Sequence, residues 1–527
     1  MHVIDLRQMV ARLPSTGGNE IVAYERGKVV RRDQATLRQD IAAARAQLTS
    51  WRIEPGSRVG IRAPSSYHWI VWDLAIFEHR AVSVAFTDDF AGVAPQALCE
   101  RYGLSILLAG ARDPGAGFVA AVDGDNTGVA PFAGAAARPG DPDPDFEHPA
   151  LIFSSGSAGG TKGMVLDRRG IEASIAAFAQ ALGPRADDRL LLFLPMSNFQ
   201  QRLMYYAALW YGVDLLITEP PRLFHALKDL APSILIAPPT LYEAIETRVS
   251  NLPRWKRVLA TALTAVAGIL PGAVGRALAR AVFKEVHAVF GPRMRIMVTG
   301  MAPIKRSTLR LFRRMQLPLF ETYGLVECGS IALNVPGASR LGSVGKPLPG
   351  VRVELAGDGE IIVEKDHMVS VRYFEAAEGE QERTYLAPNR VATGDVGRLD
   401  GDGYLHLIGR KKEIIISPGG EKVHPEVIEA ELDACSDVGK AVVFGDDGSA
   451  ILSAVVLPKH PGDDAARRRI QAHIDAVNQR RTAMPIGRIV FTDVAFTRDN
   501  GLLRPNLKLD RKTIAARFRD EPAAPPR

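Results

Sequence analysis

Residues 151–170 read LIFSSGSAGGTKGMVLDRRG. An apolar run, Ala150 to Phe153, enters a stretch of small residues from Ser154 to Gly163 that carries one cation, Lys162. Glycine and serine let a backbone come close to a phosphate, whose oxygens then take hydrogen bonds from successive N–H and hydroxyl groups. Ser154, Ser155, Gly156, Ser157, Gly159 and Lys162 are therefore candidate phosphate-binding residues. Taken alone, a loop of this composition also reads as a flexible turn. A Walker loop requires Ser or Thr after its lysine to hold magnesium, and Gly163 stands there instead.

Outward from this loop the pattern is one of alternating strands and helices. Upstream, residues 37–48 read as a helix, 58–62 as a short strand, 69–77 as a helix and 81–85 as a buried strand. That β-α-β rhythm argues for a parallel sheet. Residues 111–149, rich in Gly, Ala, Pro and Asp, read as a loop, and the alternation resumes from 150 to about 320. Residues 341–410 are short strands split by Asp-Gly turns, which predicts a small antiparallel sheet or barrel. Beyond Arg410 the pattern is α+β, with a helix from about Pro425 and two strands within 441–458, before a fraying tail, EPAAPPR. The expected fold class is α/β: a large N-terminal domain of stacked αβ layers plus a small β-barrel-like part, followed by a small α+β domain.

Composition narrows the function. The 527 residues are 46% hydrophobic and 24% charged, which excludes a mainly disordered, fibrous or multi-span membrane protein. Lys and Arg number 65 against 59 Asp and Glu, an excess of +6 that is too thin for nucleic-acid binding and suits an enzyme of anionic ligands. Cys99, Cys328 and Cys435 have neither disulfide-framework nor zinc spacing, and the first residues lack a signal-peptide apolar core, so a cytoplasmic location is expected. From Val258 to Gly275 there are 18 uncharged residues between Arg257 and Arg276, interrupted by Pro271. They are expected to form a buried helix pair or loop lining rather than a membrane span, with surface association as the lesser reading.

Further segments follow the loop in order: MVTGMAPIKRSTLRLF from Met297, ETYGLVE at 321–327, GSVGKPLPGVRVEL from Gly342, ATGDVGRLDGDGYLHLIGR at 392–410, GRKKEIIISPGGEKVHPEVIEAEL from Gly409, and NGLLRPNLKLDRKTI from Asn500. With the glycine loop, this set resembles the adenylate-forming superfamily of acyl-CoA synthetases, luciferases and peptide-synthetase adenylation domains, and is closest in motifs to long-chain acyl-CoA synthetases. The resemblance implies a nucleotide- and acid-binding domain over residues 1–409 and a mobile lid over 410–527 carrying a catalytic lysine, Lys508. It implies ATP and Mg2+ as cofactors and CoA as co-substrate. Tyr323 would pack on adenine, Asp395 and Arg410 would hold the ribose, Gly300 would approach the nucleotide, and Glu327 would be a catalytic magnesium ligand. Lys412 would be the hinge, and Gly419 and Gly420 would approach the thiol tunnel. Asn198, Tyr205, Met301 and Gly324 would line the acid pocket.

The chain departs from that pattern at Ala158, Thr161, Val326, Asn198 and Gln201, where relatives have a hydroxyl residue, proline, threonine, histidine and glutamate. Met301 and the tyrosines after Asn198 add bulk, which points to a small or aromatic acid rather than a long-chain one. A small pocket also suits nitrite, activated for reaction with an aromatic amine. The remaining readings are a carrier protein or an amine as second nucleophile, and a non-catalytic nucleotide binder. No nucleic-acid partner is expected, membrane contact is not favoured, and oligomeric state is left open.

Overall fold

The computed structural model describes residues 4–25, 28–109, 146–155, 161–269, 272–445, 449–481, 484–497, 499–503 and 509–521. Two large sheets carry most of the chain. The first has nine strands in the order 346–347, 329–333, 319–325, 296–299, 234–237, 189–192, 214–217, 20–25, 28–33. Its middle six strands pair in parallel, and its edges are antiparallel. The second sheet has six strands: 370–373, 161–166, 150–155, 82–85, 58–62, 104–109. The short strand read at 58–62 and the parallel arrangement upstream of the glycine loop are both found here, with Arg58–Arg62 lying between 82–85 and 104–109.

Local sequence explains the helices that cover these sheets. Asp33, Ser66 and Asp167 each accept a hydrogen bond from a first-turn N–H, capping Gln34–Ser50, Tyr67–Glu78 and Arg168–Leu182. Tyr67–Glu78 is buried over nearly its whole length, as its near-continuous apolar sequence requires. The two helices around Asp73 are tied together by a buried polar network. Asp73 accepts from Arg202 Nη2 at 2.6 Å, Tyr206 OH at 2.7 Å and Ser83 Oγ at 2.6 Å, and from Tyr205 OH. A wholly buried carboxylate is tolerable only with such partners.

Strands 352–355, 360–364, 385–387, 390–399 and 405–410 form a five-stranded antiparallel sheet, while 370–373 leaves it for the second large sheet. Next come a two-stranded ribbon, 415–416 with 422–423, and a three-stranded sheet, 438–445, 452–458 and 486–491. The latter packs on Pro425–Leu432 and Asp464–Gln479 around its own apolar cluster, including Ile428, Val443, Val456 and Ile470. The loop expected at 111–149 lies outside the described residues except for 146–149, as does the tail from Pro522.

The uncharged stretch at 258–275 is a helix pair, Arg254–Ile269 and Gly272–Val282, but it is not buried. Trp255, Val258, Leu259, Val266, Ile269 and Val274 face outward, while Leu263, Leu278 and Val282 are half-buried. The low charge density that suggested burial instead marks an exposed apolar surface. No helix among the described residues is long and apolar enough to cross a membrane.

Candidate active site

The glycine loop joins two antiparallel strands rather than a strand and a helix. Ala150–Ser155 pairs with Thr161–Leu166, placing Ser154 opposite Lys162 and Ser155 opposite Thr161. Gly156, Ser157 and Gly159 lie outside the described residues. Lys162 therefore sits on a strand, where sheet pairing fixes its backbone. The strand Ser370–Tyr373 pairs antiparallel with Thr161–Leu166, and Phe374 N–H donates to Gly163 O at 2.8 Å. This long-range pairing brings Tyr373 beside Lys162, whose Nζ lies 5.1 Å from the Tyr373 ring centre. Lys162 is also ion-paired with Glu380.

Tyr373 connects the lysine to the expected magnesium ligand. Its hydroxyl donates to Glu327 Oε1 at 2.9 Å. Burial raises the pKa of Tyr373, with the Glu327 charge adding to the effect, so the phenol stays a donor. The backbone holds Glu327 as well: Ser370 N–H donates to Glu327 O at 3.1 Å. Behind it, buried Lys365 donates to Cys328 O at 2.8 Å and Ser174 Oγ at 3.1 Å, and burial lowers its pKa to about 8.

The strand Leu319–Leu325 carries the rest of the ETYGLVE segment. Tyr323 is buried, and its hydroxyl donates to Asp395 Oδ2 at 2.6 Å. Arg410 Nε reaches Asp395 Oδ1 at 2.7 Å. Tyr323, Asp395 and Arg410, 87 residues apart at the extremes, thus form one cluster through the pairing of strands 390–399 and 405–410. Gly324 lies at a bulge where an added Cβ would be 2.5 Å from Gly329 O. Gly300, just past the end of Ile296–Thr299, would place a Cβ 2.8 Å from Thr322 Cγ2. Gly324 is required by close backbone approach, and Gly300 by the Thr322 methyl, with Thr322 O at 3.2 Å behind it. Glu321 on the same strand has its pKa pushed up to about 8 by burial, against the opposing pull of Arg306 and the Gly342 N–H.

One expected pocket residue is placed otherwise. Tyr205 is a core residue: it is fully buried, edge-on to Trp69, with its hydroxyl on Asp73. Its helix presents it to Tyr67–Glu78 rather than to a cleft. Met301 packs on an apolar cluster that includes Phe193, Leu194 and Tyr242, and takes a left-handed φ of 70°. Such a φ is uncommon outside glycine. Asn198 is half-buried at the N-cap of Phe199–Tyr211, without capping that helix through its side chain.

Lys412 is exposed within the single turn Lys411–Glu413, between the five-stranded sheet and the two-stranded ribbon. Lys508 lies outside the described residues; Leu503 and Leu509, which bracket it, form an antiparallel bridge. Arg511 anchors this region to Glu429 through Nη2 at 2.7 Å and to Glu413 at 2.9 Å.

The donor set fits a nucleoside triphosphate with magnesium. Lys162 would supply charge for phosphate, the half-buried Glu327 carboxylate would be a hard oxygen ligand, and Asp395, beside a guanidinium, has lone pairs that would suit ribose hydroxyls. No group of three or more His, Cys, Asp or Glu side chains able to hold a metal ion occurs among the described residues. Sequence reading missed Tyr373, Glu380 and Lys365. The acidic run FEAAEGEQERT at 374–384 was their one local signal.

Comparison with known proteins bears on this arrangement. A family model described as AMP-binding enzyme matches residues 20–368, and one described as AMP-binding enzyme C-terminal domain matches residues 412–521. The long-chain-fatty-acid–CoA ligase FadD15 of Mycobacterium bovis is 28% identical over 92% of this chain and 90% of its own length. Human long-chain-fatty-acid–CoA ligase 1 is 25% identical over 92% of this chain and 80% of its own. Among solved structures, o-succinylbenzoate CoA synthetase from Bacillus subtilis, in complex with its acyl-adenylate intermediate, superposes with a TM-score of 0.71 at 19% identity, covering 97% of each chain. The anthranilate CoA ligase AuaEII, in complex with anthranoyl-AMP, gives 0.74 at 16% identity, covering 98% of each.

Proposed function

We propose, from the premise that this chain belongs to the AMP-binding enzyme family, that it is an AMP-forming acid ligase whose substrate is a carboxylic acid with an apolar tail. With MgATP it forms an acyl-adenylate and pyrophosphate, and the acyl group then passes to the thiol of CoA. The observation that supports this best is the linkage of Lys162, Tyr373 and Glu327 beside the Tyr323–Asp395–Arg410 cluster.

In step one a carboxylate oxygen attacks the α-phosphorus and pyrophosphate leaves. Two anions meet, so the residues contribute mainly positioning and charge stabilisation. Lys162 and the backbone of the glycine loop grip the β- and γ-phosphates. Tyr323 faces the adenine, and Asp395 with Arg410 fixes the ribose. Glu327, oriented by Tyr373, would hold Mg2+, which when bound neutralises phosphate charge. Lys508 carries its ammonium to the point where carboxylate and α-phosphate meet. Residues 410–527 act as a lid that closes for this step and turns at Lys412 for the next, bringing Gly419 and Gly420 towards the incoming thiol. Such a lid keeps water from the mixed anhydride between the steps.

FadD15 and the human relative are long-chain-fatty-acid ligases, and with Tyr205 in the core the argument for a shrunken pocket rests on Met301 and Asn198 alone. A small or aromatic acid is the second reading, favoured by Met301. Nothing in the site or the relatives supports nitrite with an aromatic amine, a carrier protein, or a non-catalytic role. The three cysteines are unpaired, which suits a reducing cytoplasm.

Pyrophosphate release, measured over a series of acids from acetate to oleate and including benzoates, tests the proposal. Release is expected with apolar acids, and Lys508→Ala should lower it by about 10²–10³-fold. Lys508→Ala should still convert a supplied acyl-adenylate and CoA to thioester. Release unchanged in Lys508→Ala, or absent with every carboxylate, overturns the assignment.

A further inference from the structure

The helical hairpin at 254–282 presents a set of large apolar side chains away from the protein. Trp255, Val258, Leu259, Val266 and Ile269 are 65, 62, 49, 50 and 87% exposed. Their spacing at 3.6 residues per turn puts all five on one face of Arg254–Ile269. The opposite face is small: Ala260 packs on the same apolar cluster as Met301, and half-buried Thr264 bonds back to Ala260 O at 2.8 Å. Val274, on the other helix of the pair, is 57% exposed. A core helix would show the reverse arrangement, with large residues inward.

Charge is as lopsided as shape. From Asn251 to Lys284 the sequence has six basic residues, Arg254, Lys256, Arg257, Arg276, Arg280 and Lys284, and no Asp or Glu. That local excess equals the +6 of the whole chain. An apolar stripe with a tryptophan at its start, set in a segment of one sign of charge, suits an anionic lipid surface. A protein partner would more often require charges of both signs. Sixteen residues span about 24 Å at 1.5 Å per residue, too short for a bilayer core.

We propose that this hairpin docks the protein on the surface of an anionic lipid bilayer, with Arg254–Ile269 lying in the plane of the interface and its apolar stripe at the acyl-chain boundary. Where the substrate is an acid with an apolar tail, the reading on which this consequence rests, docking sets the enzyme on the phase into which that acid partitions.

The test is co-sedimentation of the full chain with vesicles of phosphatidylcholine, alone or mixed with phosphatidylglycerol. Binding is expected to the mixed vesicles and to weaken as salt is raised. The double variant Val266→Glu/Ile269→Glu should lose it by about tenfold or more, as should Arg280→Glu/Lys284→Glu. Leu386→Glu, exposed on another part of the surface, should bind like the parent. Thermal unfolding of each variant should match the parent. Failure of the parent to bind mixed vesicles, or full binding by Val266→Glu/Ile269→Glu, overturns the proposal. So does an oligomer in size-exclusion chromatography that this variant makes monomeric, which would assign the stripe to a second copy of the chain. Vesicle binding needs no turnover, so a failed ligase assay leaves this result readable.

Discussion

Tyr373 is the residue on which the candidate site turns, and only the acidic run that follows it marks it in the sequence. It touches the Lys162 cation with its ring and the Glu327 carboxylate with its hydroxyl. Tyr373→Phe keeps the ring and removes the hydrogen bond. A hydrogen bond to a charged group is worth about 1.5–3 kcal/mol, so the Mg2+ concentration for half-maximal pyrophosphate release should rise by roughly 10–100-fold. The acid concentration for half-maximal rate should change little. Equal shifts in both would mean that Tyr373 acts on the fold rather than on Glu327. Glu321 makes a separate prediction, for stability. Its pKa rises from the ordinary 4.5 to about 8 on folding because burial disfavours the carboxylate. Across that window the folded state holds a proton that the unfolded state has lost, so stability falls as pH rises through it. Glu321→Gln removes the penalty. Its advantage over the parent in chemical denaturation should be small near pH 4.5 and grow to the order of 2–4 kcal/mol by pH 8. An advantage that does not vary with pH would show that Glu321 is not protonated in the fold.

At the scale of elements, legibility depends on how local the cause is. The strand at 58–62 and the helix beginning at Pro425 follow from periodicity and lie within a residue of where that pattern puts them. The motif residues Tyr323, Asp395 and Arg410 are readable from resemblance, and the structure brings them together. The pairing of 370–373 with 161–166 is not readable, because the register between strands 200 residues apart leaves no local pattern. Tyr373 and Glu380 escape sequence reading for that reason. The hairpin at 254–282 misleads differently: its lack of charge suggests burial, whereas the same residues form an outward stripe. Tyr205 reads as pocket bulk because the sequence does not reveal Asp73 behind it. The element that holds the Lys508 region makes its own prediction. Arg511, at the start of Arg511–Phe518, is bound to Glu429 of Pro425–Leu432, which also accepts from Val443 N–H at 2.7 Å. Arg511→Met leaves a buried carboxylate unpaired and should destabilise the C-terminal sheet by about 3 kcal/mol, read as faster amide exchange across 438–458. Adding Glu429→Gln, which removes the charge but still accepts from Val443, should restore part of the loss. No restoration would mean the ion pair is not what matters.

At the scale of the whole molecule, several polar contacts tie residues 410–521 to the rest of the described chain. Lys305, four residues beyond Met301, donates through Nζ to Gly439 O, and its own N–H donates to Glu243 Oε1 at 3.1 Å. Lys440 is paired with Asp433 at 2.9 Å and feels the charge of Glu243 across the same gap. At the turn itself, Arg410 N–H donates to Glu426 Oε1 at 3.1 Å, and Lys411 binds Asp358 and Glu360 at 2.8 and 2.6 Å. Interfaces of this polar kind permit relative motion. The proposed two-step mechanism uses that motion, because a Lys508 that assisted the first step would have to withdraw before the thiol of the second could enter. Lys305→Met deletes the direct contact while leaving Lys162, Glu327 and the nucleotide cluster untouched. The orientation that this contact holds should then be less populated, by about 0.5–1.5 kcal/mol for one lost hydrogen bond, or roughly 2–10-fold. Scattering of the nucleotide-free protein should report a larger radius of gyration, and limited proteolysis should cut faster near Lys411 and Lys412. The two half-reactions should respond unequally, since the variant changes the balance between lid positions and not the site itself. Equal changes in adenylation and in thioester formation from supplied acyl-adenylate would mean that Lys305 works within the site rather than at the lid.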